Sequence, residues 1–91
     1  LQDQLNVQDE QLKFNLKNAM ENYSLQKENI DVATQVLKSY QRKYELGAVS
    51  SLDLTQANNN YLQAETNYTE AVLTLLQAQV SLEKLYNQLP R

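Results

Sequence analysis

Apolar residues recur every seven positions along almost the whole chain, and this constrains the fold more than anything else. In the first half one seam runs Leu16, Tyr23, Ile30, Leu37, Tyr44, and a companion runs Leu5, Leu12, Ala19, Gln26, Ala33, Tyr40. In the second half the seams are Leu54, Tyr61, Tyr68, Leu75, Leu82, Leu89 and Ala57, Ala64, Ala71, Ala78, Leu85. A seven-residue apolar repeat sustained over many turns specifies a coiled coil rather than a globular amphipathic helix. Nothing alternates with period two, so strands are not expected.

The repeat is broken once, at Lys43-Tyr44-Glu45-Leu46-Gly47-Ala48-Val49-Ser50-Ser51-Leu52-Asp53-Leu54. This segment holds the only glycine of the chain. Gly47 is suited to the left-handed conformation that ends a helix. Ser50 is suited to cap the next helix, with Asp53 three residues on as an acidic partner at the positive end of the helix dipole. Val49 and Leu54 occupy the two positions of a hydrophobic staple. Pro90 is expected to stop the second helix. The reading is all-α: an antiparallel coiled-coil hairpin with helices over roughly 3–46 and 51–88, each a rod on the order of 60 Å, turning at 47–50. Residues 1–91 are expected to form a single helical hairpin.

The two halves also complement each other. Folding antiparallel so that Tyr44 faces Ala57 sets Leu37 against Ala64, Tyr68 against Ala33, Ile30 against Ala71, Tyr23 against Ala78 and Leu82 against Ala19. Leu16 then meets Leu85 and Leu12 meets Leu89. A large residue meets a small one in most layers, which fills the space between helices without voids. Tyr40 against Tyr61 and Gln26 against Leu75 are the exceptions. Gln26 either fixes register, as buried polar seam residues do, or reaches solvent.

A second apolar stripe lies off the seams: Leu25, Val32, Val36 and Leu46, then Leu62, Val72, Leu73, Leu76 and Val80. A lone hairpin would leave it in water, and exposed apolar area of this kind marks a partner surface. Further helices are therefore expected on both flanks, in a bundle or a ring. The isolated chain is expected to self-associate, as a dimeric four-helix bundle or by opening at Gly47 and exchanging helices.

Composition removes several function classes. With no Cys and no His, disulfides, thiolate metal sites and the commonest general base are excluded. Ser50 and Ser51 have no histidine to activate them, and Glu65, Glu70 and Glu83 lie off the seam without converging partners. One glycine cannot build a phosphate-cradling loop. No enzyme and no cofactor are expected. Eight basic against 11 acidic residues give a net charge of −3, which disfavours nucleic acid. The most apolar stretch, Ala71 to Leu76, is far short of the ~20 residues of a membrane span. The chain opens Leu1-Gln2-Asp3-Gln4 without Met or a signal-peptide pattern; an excised piece of a longer protein is expected.

The tip carries a resemblance. Lys43-Tyr44-x-x-Gly47-x-x-Ser50-x-Leu52-Asp53-Leu54-x-x-Ala57, followed by Ala64, Ala71 and Ala78, resembles the TolC-type outer membrane efflux proteins, over about Tyr23 to Leu89. In that family a protomer carries two repeats, each with barrel strands and long periplasmic helices, and three protomers close a tunnel. The chain resembles the last helix pair of the second repeat. The resemblance implies a cell outer membrane protein with this segment in the periplasm. It implies a wall element and an adaptor-docking tip of a tripartite efflux or type I secretion channel. The tip Gly47, Ala48, Val49, Ser50, Ser51, Leu52, Asp53, Leu54 would meet a periplasmic adaptor protein and, through it, an inner-membrane pump.

The resemblance also places Tyr44 on a tyrosine that helps close the channel entrance, and Asp53 on one of two aspartates that ring its mouth. The arginine completing that closure is replaced by Val49, and the second aspartate corresponds to Gln56. Simpler roles stand beside these: Gly47 as a helix stop, Ser50 and Asp53 as a cap, Tyr44 as a knob over Ala57. The Asn58-Asn59-Asn60 run suits a solvated face or a wet tunnel wall. Two other readings are the α-hairpin of a periplasmic adaptor and a freestanding coiled-coil scaffold. The spacing of Arg42 and Leu46 before Ser50 disfavours the first; the second stripe disfavours the other.

Overall fold

The computed structural model describes residues 2–88, with side chains over 7–87. It contains two helices, α1 (Gln2–Glu45) and α2 (Ser51–Gln88), and no strand among the described residues. They lie side by side in a rod of 67 × 15 × 15 Å. The expected hairpin and its boundaries are therefore observed to within a residue. The Leu5 side chain is not among those described, and Leu89 and the stop at Pro90 lie outside the described residues.

Every seam position from Leu12 to Leu85 is buried or half-buried except Tyr44, which is 46% exposed. The buried hydrophobic residues among those described are all alanines: Ala19, Ala57 and Ala71. The reason is geometric. Two helices can enclose a methyl group between their backbones, but a large side chain projecting from a two-helix seam keeps one edge in water. The off-seam stripe is open as expected: Leu25, Val32, Val36, Leu46, Leu62, Leu73, Leu76 and Val80 are exposed, and only Val72 is partly covered.

The register is tighter than the expected one. Tyr23 and Tyr68 touch, with ring centroids 5.6 Å apart and hydroxyls 3.5 Å apart. In the expected register, with Tyr23 over Ala78 and Tyr68 over Ala33, these residues would sit ~15 Å apart along the axis. Tyr40, not Tyr44, shares a groove with Ala57, and Ala19 shares one with Ala78 rather than with Leu82. These contacts fit a register tightened by one heptad. Leu37, Ile30, Tyr23 and Leu16 then come into the layers of Ala57, Ala64, Ala71 and Ala78, and the chain folds about Gly47. The cause is where α1 stops. It ends at Glu45, so a register with Tyr44 over Ala57 would leave the first turn of α2 without a helix opposite. Because alanine recurs every seven residues, large-on-small packing survives the shift intact.

Candidate functional site

The tip is built by backbone hydrogen bonds. The Ala48 N–H donates to the Lys43 carbonyl at 2.8 Å, and the Gly47 N–H to the Tyr44 carbonyl at 3.0 Å. This pair of bonds is a Schellman motif, and it satisfies carbonyls that the end of α1 would leave open. It requires a left-handed residue at position 47, where Gly47 has φ 75°. The loop then runs into a reciprocal cap. Ser50 Oγ accepts from the Asp53 N–H at 3.1 Å, and the Ser50 N–H donates to Asp53 Oδ2 at 3.3 Å. That is a capping box with aspartate in the usual glutamate position. Val49 and Leu54 are the only half-buried residues of the tip, as a staple requires.

Two leucines crown this turn. Leu46 is 77% exposed and Leu52 74%, the most exposed of the large hydrophobic residues described. Water-facing leucines on a turn fixed by four hydrogen bonds form an apolar apex at little entropic cost to a partner. Gly47, Ala48, Ser50, Ser51 and Asp53 are exposed beside them. Asp53 also borders a groove with Val36, Tyr40, Gln56, Ala57 and Asn60. Its carboxylate therefore serves the cap and faces open space at once. Tyr44 contributes its carbonyl to the helix stop, and no hydrogen bond joins its side chain to Asp53 among the described residues. The tightened register removes the expected Ala57 partner from Tyr44 and leaves the ring open. Lys43 Nζ lies 5.7 Å from the Tyr40 ring centre, a cation–π contact at the last turn of α1.

One flank carries a pattern that the apolar repeat hid. Asn15, Asn22 and Asn29 recur every seven residues on α1, and Asn60, Asn67, Thr74 and Ser81 do so on α2. Asn15, Asn18 and Asn22 line one groove with Thr74, Gln77 and Ser81. Gln26 donates to Asn22 Oδ1 at 3.2 Å and accepts from Asn29 at 3.4 Å. Gln63 donates to Asn67 at 3.0 Å. Gln26 is thus half-buried on the seam with its amide turned into this flank. The signal was available in the sequence as heptad-spaced asparagine next to the seam.

Asp9 is the second feature missed. It stands seven residues before Leu16, on the seam itself, and is half-buried. Its Oδ2 pairs with Lys13 Nζ at 3.0 Å, while its buried Oδ1 has no hydrogen bond of good geometry. The neighbouring Tyr86 hydroxyl, and then Lys13, hold the Asp9 carboxyl below its ordinary value. Asp9 and then Tyr86 raise Lys13 in turn. At mid-length the Tyr23 hydroxyl, together with burial, pushes the Tyr68 phenol up.

Among the described residues no group of three or more Asp, Glu, His or Cys side chains converges as a metal site would require, and no helix is long and apolar enough to cross a membrane. Comparison with curated proteins and with solved structures finds no match. The family model described as outer membrane efflux protein matches residues 2–88, nearly the full length, and the chain belongs to that family.

Proposed function

We propose that this hairpin is a wall element of an outer membrane efflux channel, that it lies in the periplasm, and that its tip docks a periplasmic adaptor. Membership of the efflux family supplies the channel role, and that family is not one of enzymes. The apex carries the docking assignment: Leu46 and Leu52 stand in water on a turn that hydrogen bonds fix from both sides. The adaptor would link the channel to an inner-membrane pump, as family members do.

The placement of the off-seam leucines and valines supports the wall. Leu25 and Val32 lie on the outer edge of α1, and Leu62, Leu73, Leu76 and Val80 on the outer edge of α2. Opposite edges that are both apolar suit head-to-tail packing of hairpins, and head-to-tail contacts close into rings. A freestanding scaffold would need no such edges. In a trimer three copies of Asp53 would gather negative charge at the entrance, and the exposed ring of Tyr44 is free to take part in closing it. Without neighbours the 91-residue chain should associate through the same edges, as a dimer of hairpins.

Docking is tested by binding an adaptor hairpin to the wild type and to a Leu46→Asp/Leu52→Asp variant, whose substituted positions are already exposed. At least tenfold weaker binding is expected, about 1.4 kcal/mol. Unchanged affinity would remove the apex from the interface.

A further inference from the structure

The chain has six tyrosines, and one pair among those described is in ring contact. Tyr23 on α1 and Tyr68 on α2 come within 5.6 Å centre to centre, tilted by 36°, with hydroxyls 3.5 Å apart. Both are half-buried, so each ring has its partner on one side and limited access to other molecules. They are 45 residues apart in sequence, so only the folded hairpin brings them together. Two phenols held in this way share the geometry in which phenoxyl radicals combine, since the ortho carbons flank the touching hydroxyls.

We propose that Tyr23 and Tyr68 form a site of oxidative cross-linking, at which a one-electron oxidant couples the two rings through their ortho carbons into dityrosine and joins the helices covalently. A haem peroxidase with hydrogen peroxide supplies the chemistry. Each phenol gives up one electron and one proton, and the two radicals form a carbon–carbon bond. The two ortho hydrogens then move to the phenolic oxygens, restoring both aromatic rings. The net change is the loss of two hydrogen atoms from the protein, and one peroxide is reduced to two waters. The Tyr23 hydroxyl pushes the Tyr68 phenol above its ordinary value, so at neutral pH the Tyr68 proton leaves with its electron.

The site is specific to the observed register. Moved by one heptad, Tyr23 and Tyr68 separate, and Tyr40 comes opposite Tyr61 instead. The identity of the product therefore reports which layers face each other, and once formed the bond prevents the helices from sliding.

The test treats the dilute 91-residue chain with peroxidase and peroxide, then reads dityrosine fluorescence, intact mass and the linked peptides. A monomer-sized product lighter by two hydrogens is expected, with Tyr23 joined to Tyr68. Tyr23→Phe and Tyr68→Phe should each abolish it, whereas Tyr61→Phe should leave it unchanged. Circular dichroism establishes that each Phe variant remains helical. A link between Tyr40 and Tyr61, only intermolecular products, or no dityrosine from a folded wild type would overturn the proposal. Failure of the cross-link would leave adaptor docking untouched, because the two sites lie on different parts of the rod.

Discussion

Replacing Gly47 with alanine isolates the energetics of the turn. The substitution adds one methyl group, and that methyl meets nothing within 4 Å. No steric collision contributes, so the cost comes from the backbone alone. Holding an L-residue at φ 75° costs roughly 1–2 kcal/mol. Alanine recovers about 0.4–1 kcal/mol of this by restricting the unfolded chain. The net destabilisation is then ~1 kcal/mol. For a chain of this size that lowers the melting midpoint by about 4–8 °C. Asparagine tolerates the left-handed region better than alanine, so the order of stability should be Gly47, then Asn, then Ala. Thermal and urea unfolding followed by far-UV circular dichroism, at matched chain concentration, measures all three. Alanine as stable as glycine would mean that residue 47 is not left-handed in solution, and the turn would have to be redrawn.

Three further outcomes follow from the same geometry. Ser50→Ala removes one arm of the reciprocal cap and should cost ~1 kcal/mol, read as a lower urea midpoint with an unchanged slope. Ala71→Leu, at a position 2% exposed between two close backbones, should cost about 1–3 kcal/mol by overpacking, whereas the same change at Ala48 on the exposed loop should be nearly silent. The depressed Asp9 carboxyl stabilises the open end at neutral pH. That contribution is lost as pH falls below the ordinary carboxylate value and through the lowered one. The wild type should therefore lose more stability than Asp9→Asn on acidification, and parallel pH profiles would show that the Asp9–Lys13–Tyr86 group contributes nothing.

The hairpin was legible because its determinants are local and repetitive. Leucines, tyrosines and alanines at spacing seven specify two helices, and Gly47, Ser50 and Asp53 specify where one ends and the next begins. Register was less legible for the same reason. An alanine ladder that repeats every seven residues accepts large partners equally well one heptad away, so the pattern fits two alignments and cannot choose between them. The five-residue loop chooses, because it fixes which turns of α1 and α2 can lie abreast. The fate of Tyr44 followed from that choice: from a knob over Ala57 it became an exposed ring beside the apex. Asp9 is not legible as a seam residue because an apolar repeat carries no signal where a charged side chain stands on it. The asparagine ladder is masked by the Asn58-Asn59-Asn60 run, which suits a solvated face or a wet tunnel wall and hides the seven-residue spacing of Asn60, Asn67, Thr74 and Ser81.

The claim on which the rest stands is that the chain doubles back at Gly47. Spin labels at Gln8 and Asn87, in chains diluted with unlabelled protein, test this by an intramolecular distance at the open end of the rod. Antiparallel helices whose axes run about 10 Å apart predict a short distance, widened only by the label arms. A distance of ~60 Å or more, the length of a helix, would mean that α1 and α2 of one chain run apart, contradicting a turn at Gly47.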